Sequence, residues 1–309
     1  MKTKSKTKTK IGTRGSVLAL AQAQEVIAQL KAAHDTSRQE FEVCVIKTSG
    51  DRIQDRPLAE AGGKGLFTKE IEEALLAREI DLAVHSMKDM PTILPAGLAI
   101  GCYLPRADVR DAFISAKAAS LAQLPAAAVV GTSSLRRQAQ VKRLRPDLRV
   151  VPLRGNVDTR LRKLQEGVVD ATLLACAGLA RLGLSSRITQ PVSVDDMLPA
   201  VAQGAIGVEI RADDDRTARL LAPINHAQTA LAVAVERAFL ARLDGSCKTP
   251  IAGHARIIDG RLSFRGMILK VDGSEMHETG RTGALGDAVA LGEDAGRELK
   301  ARGGADFFR

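Results

Sequence analysis

Short β-branched runs alternate with helical patterns through the first two-thirds of the chain, and the alternation starts afresh after Pro105. In the first stretch, residues 11–14 predict a strand. Ser16 caps a helix rich in Ala, Leu and Gln that runs to about residue 33, and residues 41–47 predict the next strand. A polar, glycine-containing loop over 48–64 leads to an amphipathic helix over 68–78 and a short buried strand over 81–84. Strands that return after a helix favour parallel pairing, because a parallel connection needs a crossover of about a dozen residues or more. The second stretch repeats the pattern, with strands over 112–115, 129–130, 149–153 and 170–174 and helices over 134–144, 156–166 and up to residue 182. The apolar, glycine-spaced run over 205–210 predicts one more strand, able to return to the first sheet.

The last third breaks this pattern. A long Ala-rich helix over 229–243 ends at the turn Asp244-Gly245-Ser246-Cys247. Three strands over 251–258, 261–270 and 275–280 follow, separated by Asp-Gly turns, and a closing helix runs from 283 to 300. Consecutive hairpins beside a helix predict a small α+β domain. The expected fold class is α/β, with two doubly wound domains, one over 11–104 with 205–222 and one over 110–198, plus an α+β C-terminal domain over 227–309.

Charge matters through its placement. The 309 residues carry a formal +9, and Lys2, Lys4, Lys6, Lys8 and Lys10 supply five of those charges. That segment has almost no apolar side chain to offset ordering, so residues 1–10 are expected to form a disordered tail whose deletion does little to activity. Residues 131–163 hold ten basic side chains against Asp147 and Asp158, a local +8, while the rest of the chain beyond the tail is slightly acidic. No run approaches about 18 apolar residues, so no membrane span is expected. Cys44, Cys102, Cys176 and Cys247 form no C-x-x-C pair. Neither a metal site nor a disulfide framework is expected, and reduced thiols fit a cytoplasmic protein. One Tyr, no Trp and seven Phe are few stacking platforms for a single-strand nucleic-acid binder.

Within the basic segment, Gly131-Thr132-Ser133-Ser134 follows a strand end and opens a helix bearing Arg136 and Arg137 in its first turn. Backbone N–H groups, hydroxyls and two guanidinium groups at such a corner suit an anion. Arg154-Gly155-Asn156 repeats the geometry, with Arg160 one turn in. A solvated basic face is the alternative. Thr13-Arg14-Gly15-Ser16 is a third corner of this kind, and Gly62-Gly63-Lys64-Gly65 is a cationic loop that lacks the Ser or Thr of a Walker A. After the strand over 81–84 comes His85-Ser86-Met87-Lys88-Asp89. A carboxylate at a strand's C-terminal end lies where open α/β sheets bind ligands, and Asp89 is a candidate general acid/base; a salt bridge with Lys88 is the bland reading. His85 reads as a structural residue, and Cys247 as a reachable thiol in a turn.

Together, the segments around Arg14, Gly62–Phe67, His85–Asp89, Gly131–Arg137, Leu153–Asn156, Gln203-Gly204-Ala205 and the turn about Cys247 resemble the porphobilinogen deaminase (hydroxymethylbilane synthase) family, from about residue 11 to about 300. The resemblance implies two domains like periplasmic binding proteins and a third domain whose cysteine carries a dipyrromethane cofactor by a thioether. It implies a transferase of porphyrin and haem biosynthesis that links four porphobilinogens head to tail, releases ammonia and frees the linear tetrapyrrole hydroxymethylbilane. By this likeness Cys247 is the attachment point and Asp89 the catalytic carboxylate. Arg14, Ser16, Lys64, Phe67, Lys88, Ser134, Arg136, Arg137, Arg154, Asn156, Arg160, Arg181 and Gln203 are the matched binding positions. A cytoplasmic monomer with no nucleic-acid partner is implied as well. Two departures stand out: Glu60 where the family often has lysine, and Ser246 where a glycine is common. The competing readings are a non-catalytic polyanion-binding module, expected to bind carboxylates reversibly, and a nucleic-acid binder, expected to show steep salt dependence.

Overall fold

The computed structural model describes residues 7–35, 39–52, 65–245, 249–304 and 306–308. In chain order the first elements are β1 (Thr7–Thr13), α1 (Val17–Ala33), β2 (Gln39–Val45), α2 (Ser49–Arg52), α3 (Lys69–Leu76), β3 (Leu82–Ser86) and β4 (Leu98–Tyr103). Next come β5 (Asp111–Ser115), β6 (Val129–Gly131), α4 (Leu135–Leu144), β7 (Arg149–Val151), α5 (Val157–Gln165), β8 (Ala171–Ala175), α6 (Cys176–Arg181) and β9 (Gln190–Pro191). The chain continues through β10 (Ile206–Arg211), α7 (Asp215–Leu221), α8 (Ala227–Arg242), β11 (Ile251–Ile258), β12 (Arg261–Leu269), β13 (Met276–Gly283) and α9 (Ala288–Gly303). These elements divide into two compact units: the chain up to Arg106 with Ala205–Ala230, and Ala107–Gly204 with Leu231–Arg309.

In the first unit the sheet order is β2-β1-β3-β10-β4. β1 pairs in parallel with β2 and β3, whereas β10 enters antiparallel between β3 and β4. β3 is apolar at successive positions because both its faces are covered. Leu82 and Val84 pack with Val26 and Leu30 of α1, while Ala83 packs with Ile71 and Leu75 of α3. This period-2 division puts His85 on the α3 face and Ser86 on the α1 face, where Gln22 Nε2 donates to Ser86 Oγ at 2.8 Å.

The expected tail over 1–10 needs correction at residues 7–10. The ladder to β2 starts at Thr7, pairs Lys10 with Glu42, and buries Thr9 to 1% exposure. Alternating Thr and Lys is a strand pattern: the β-branched Thr9 faces in, and Lys8 faces out to an ion pair with Glu42 at 3.0 Å. β4 and β9 also go beyond the sequence reading. Gly101 interrupts the apolar signal of β4 because Ile210 and Leu221 fill the space a side chain there would need. β9 is two residues long and contains Pro191.

In the second unit the α/β sheet has the order β7-β6-β8-β5-β9, with β6 parallel to β7 and β8 and β5 antiparallel to β8 and β9. Its arrangement of directions repeats that of the first sheet. A three-stranded antiparallel sheet, β11-β12-β13, packs its face on α8 through an edge-to-face contact of Phe239 with Phe264 at 5.0 Å. The free edge of β11 is covered, as an exposed strand edge requires. Gly253 N donates to Pro199 O at 3.0 Å, and Ala255 N donates to Glu236 Oε1 at 2.7 Å. The other Glu236 oxygen accepts from Ala202 N at 2.5 Å, so one fully buried carboxylate ties α8, β11 and the segment before β10.

Candidate active site

Because β1 and β3 are parallel, their carboxyl ends lie at the same edge of the first sheet, the edge where such sheets bind ligands. Past β1, Ser16 accepts from Ala19 N at 3.2 Å and caps α1, which fixes the corner that presents Arg14. The Arg14 guanidinium lies 4.0 Å from the centre of the Phe67 ring, so one face of that ring already holds a cation. Past β3, a single 3₁₀ turn, Met87–Asp89, buries Met87 and turns Asp89 outward. Arg14, Ser16, Phe67, His85 and Asp89 line one recess. Among the described residues Asp89 has no hydrogen-bond or ion-pair partner, so the salt bridge with Lys88 is not made. Lys88 is half-buried.

The second unit has its own corners at the parallel ends of β6 and β7. Ser134 caps α4, accepting from Arg137 N at 3.5 Å, and Asn156 caps α5, accepting from Thr159 N at 2.9 Å. Arg136 and Arg137 turn inward, exposed to only 4% and 5%. Arg136 Nη1 lies 2.7 Å from Asp111 Oδ2 and also donates to Leu198 O at 2.8 Å. Arg137 donates twice to Asp111 Oδ1 and once to Leu173 O at 2.9 Å. Gln203 Nε2 completes the cluster, donating to Asp111 Oδ1 at 3.0 Å and to Val109 O at 2.8 Å. Burial alone would push the Asp111 carboxyl up, but the two guanidinium charges overcome it and hold it well below the usual carboxylate range.

The +8 segment is therefore not a uniformly solvated face. Besides Arg136 and Arg137, Arg145 binds Asp147 and the carbonyls of Leu121, Ala122 and Leu124, and Arg162 pairs with Glu166. Lys142 caps the carbonyls of Pro146 and Leu148. Arg154 is half-buried, and among the described residues its Nη1 is buried without an acceptor, as is Arg136 Nε. Arg160 Nε donates to Gly155 O at 2.9 Å, and Arg181 Nη2 donates to Gly204 O at 3.1 Å.

Of the sequence-derived positions, the structure brings Arg14, Ser16, Phe67 and Asp89 together in the first unit. It gathers Arg136, Arg137 and Gln203 around Asp111, beneath the Ser134 cap, in the second. Lys64 and Cys247, with Glu60 and Ser246, lie outside the described residues. Sequence reasoning missed Asp111 and Gln22. Asp111 lies 25 residues before Arg136, and no local spacing links a strand's first residue to a helix start that far along the chain.

The remaining thiols are poor nucleophiles. Burial pushes Cys102 up to about 12 and Cys176 up to about 11, and raises Cys44 as well. Among the described residues no helix is long and apolar enough to cross a membrane.

Residues 9–219 match the family profile described as "Porphobilinogen deaminase, dipyromethane cofactor binding domain", and residues 230–301 match "Porphobilinogen deaminase, C-terminal domain". A porphobilinogen deaminase of Paracoccus denitrificans is 62% identical over 299 residues, covering 97% of this chain and 96% of the relative. A chloroplastic porphobilinogen deaminase of Oryza sativa subsp. japonica is 58% identical over 304 residues, covering 97% and 85%. Among solved structures, a periplasmic substrate-binding protein of an ABC transporter from Coxiella burnetii has a TM-score of 0.44 at 15% identity, covering 74% of this chain and 96% of that one. With both profiles matched in order and near-full-length relatives above half identity, the chain belongs to the porphobilinogen deaminase family.

Proposed function

We propose a division of labour among this chain's residues for the reaction of its family. The chain is a transferase of tetrapyrrole biosynthesis that joins four porphobilinogens into hydroxymethylbilane with loss of ammonia, using a covalent dipyrromethane. Asp89 is the carboxylate at the reacting centre, where it holds and exchanges protons with cationic nitrogens as ammonia leaves. The observation that carries this assignment is the recess itself: an exposed carboxylate with no partner among the described residues, at the carboxyl end of β3, beside Arg14 and Ser16.

The dipyrromethane, when bound, supplies the primer to which substrate units are added. The donor set suits such a group, whose acetate and propionate arms make it polyanionic. Arg154 Nη1 and Arg136 Nε are buried donors with no acceptor among the described residues, and an anion would satisfy them. Cys247 is the attachment residue; the raised thiols of Cys44, Cys102 and Cys176 leave those three ill-suited to the role. Arg14, Ser16, Lys64, Phe67, Lys88, Ser134, Arg154, Asn156, Arg160 and Arg181 bind the anionic chain or shape its corners. Arg136, Arg137 and Gln203 act from within, fixed on Asp111.

The chain works as a cytoplasmic monomer and takes no nucleic acid. The scarcity of aromatic residues supports the last point, as does the engagement of much of the basic segment inside the fold. The test is incubation of the purified protein with porphobilinogen. Release of ammonia with formation of a linear tetrapyrrole is expected, and reversible porphobilinogen binding without ammonia release would return the chain to the class of binding modules.

A further inference from the structure

His85 has no part in the division of labour above, yet it lines the same recess as Asp89 and Arg14. β10 runs antiparallel to β3 with Gly207 opposite His85, so Glu209 lies diagonally across from it on the same face, a separation that a long side chain can span. Glu209 Oε2 is 3.1 Å from His85 Nε2, with the two side chains exposed to 0% and 5%. That is the ring's single hydrogen bond among the described residues. A carboxylate on one ring nitrogen fixes both the tautomer and the ring plane, as it does for metal-binding and catalytic histidines. In the neutral ring, an Nε2–H donated to Glu209 leaves the lone pair on Nδ1. The recess that His85 lines also carries Arg14 from the β1 corner and Asp89 from the turn, and Glu72 of α3 is a further charged neighbour of the ring.

We propose that His85 is a further substrate-positioning residue: Glu209 holds its Nε2–H, and Nδ1 accepts an N–H of porphobilinogen bound beside Asp89. Porphobilinogen offers such donors in its pyrrole N–H and its aminomethyl group. Glu209 acts through His85 and is itself a positioning residue. This inference rests on the reading of the Asp89 recess as the reacting centre.

Two near-isosteric substitutions separate the two ring nitrogens. His85→Gln reaches the position of Nε2 and keeps a bond to Glu209, but has nothing at Nδ1. His85→Asn keeps a polar atom near Nδ1 and gives up Glu209. For enzyme carrying its mass adduct, His85→Gln is expected to keep its unfolding midpoint while kcat/KM for porphobilinogen falls by about tenfold to a hundredfold, carried mainly by KM, and His85→Asn to lose less. Wild-type kcat/KM in His85→Gln, or His85→Asn as the weaker variant with a lowered midpoint, would make the pair a purely structural tie. Should neither variant fold, ¹⁵N NMR of the wild-type holoenzyme decides. Saturating porphobilinogen is expected to shift the His85 Nδ1 resonance, and an unmoved resonance overturns the proposal. A wild-type protein without adduct or turnover would instead sink the reading of the recess, which keeps the two failures distinct.

Discussion

Asp111 Oδ1 accepts from both Nη2 and Nε of Arg137, at 2.7 and 3.0 Å, inside a cluster where Asp111 is 0% exposed. Two guanidinium groups share this one carboxylate, so the described core holds an excess positive charge directly under the cap of α4. That arrangement fixes two arginines on one carboxylate behind the corner for which we propose binding of an anionic chain.

Asp111→Asn leaves both guanidinium groups buried without a counter-charge, which is expected to cost about 3–5 kcal/mol. Denaturant unfolding would measure it. The loss should shrink in acid, because the Asp111 carboxyl is held low in the fold: the stability it supplies is present above the unfolded-state value and disappears as pH falls through the folded one. A change below about 0.5 kcal/mol, the usual range of surface substitutions, would mean that the cluster relaxes without its acid.

Asp89→Asn should behave in the opposite way. The carboxylate is exposed and unpartnered among the described residues, so stability is expected to stay within about 0.5 kcal/mol of the parent. Turnover should fall by about 10²–10⁴. Steady-state assays on adduct-loaded protein would check this, and near-normal turnover would move the reacting centre elsewhere.

Glu72 gives a pH signature. Its burial, together with the charge of Glu209, pushes its carboxyl above the ordinary range. An acid raised in the folded state opposes folding increasingly as pH climbs from about 4.3, its ordinary unfolded value, and contributes nothing below that. Glu72→Gln is therefore expected to stabilise the protein at neutral pH, with the gain vanishing near pH 4. Thermal unfolding at several pH values would show it, and a gain that grew toward acid would contradict the assignment.

Deleting residues 2–10 removes more than charge. Residues 7–10 pair with β2, and the Lys10 N–H donates to Asp81 Oδ2 at 2.8 Å at the start of β3. Losing those bonds and the burial of Thr9 is expected to cost about 2 kcal/mol or more, with the activity of the folded fraction unchanged. An unaltered denaturation midpoint would show that this end of the ladder adds nothing.

Much of this was legible in the chain because local signals agreed. Ser16, Ser134 and Asn156 each announce a helix start and each caps one, and the apolar runs of β3 and β8 read as strands, which the fold covers on both faces. What was not legible depends on contacts distant in sequence. A run of ten basic residues looks the same whether it faces water or folds onto a carboxylate, and Asp111 decides the matter from 25 residues away. Strand β1 was read short because its first half is written in lysine and threonine; burial of Thr9 by β2 and pairing of Lys8 with Glu42 supply what composition lacked. His85 read as structural because its partner, Glu209, arrives only when β10 returns to the first sheet.

The intact mass of the purified protein tests the central claim most directly. A mass above that of the sequence by one dipyrromethane is expected, with peptide mapping placing the adduct on Cys247 and its loss in Cys247→Ala. An unmodified mass that stays unmodified and inactive after porphobilinogen or preformed hydroxymethylbilane is supplied would contradict it.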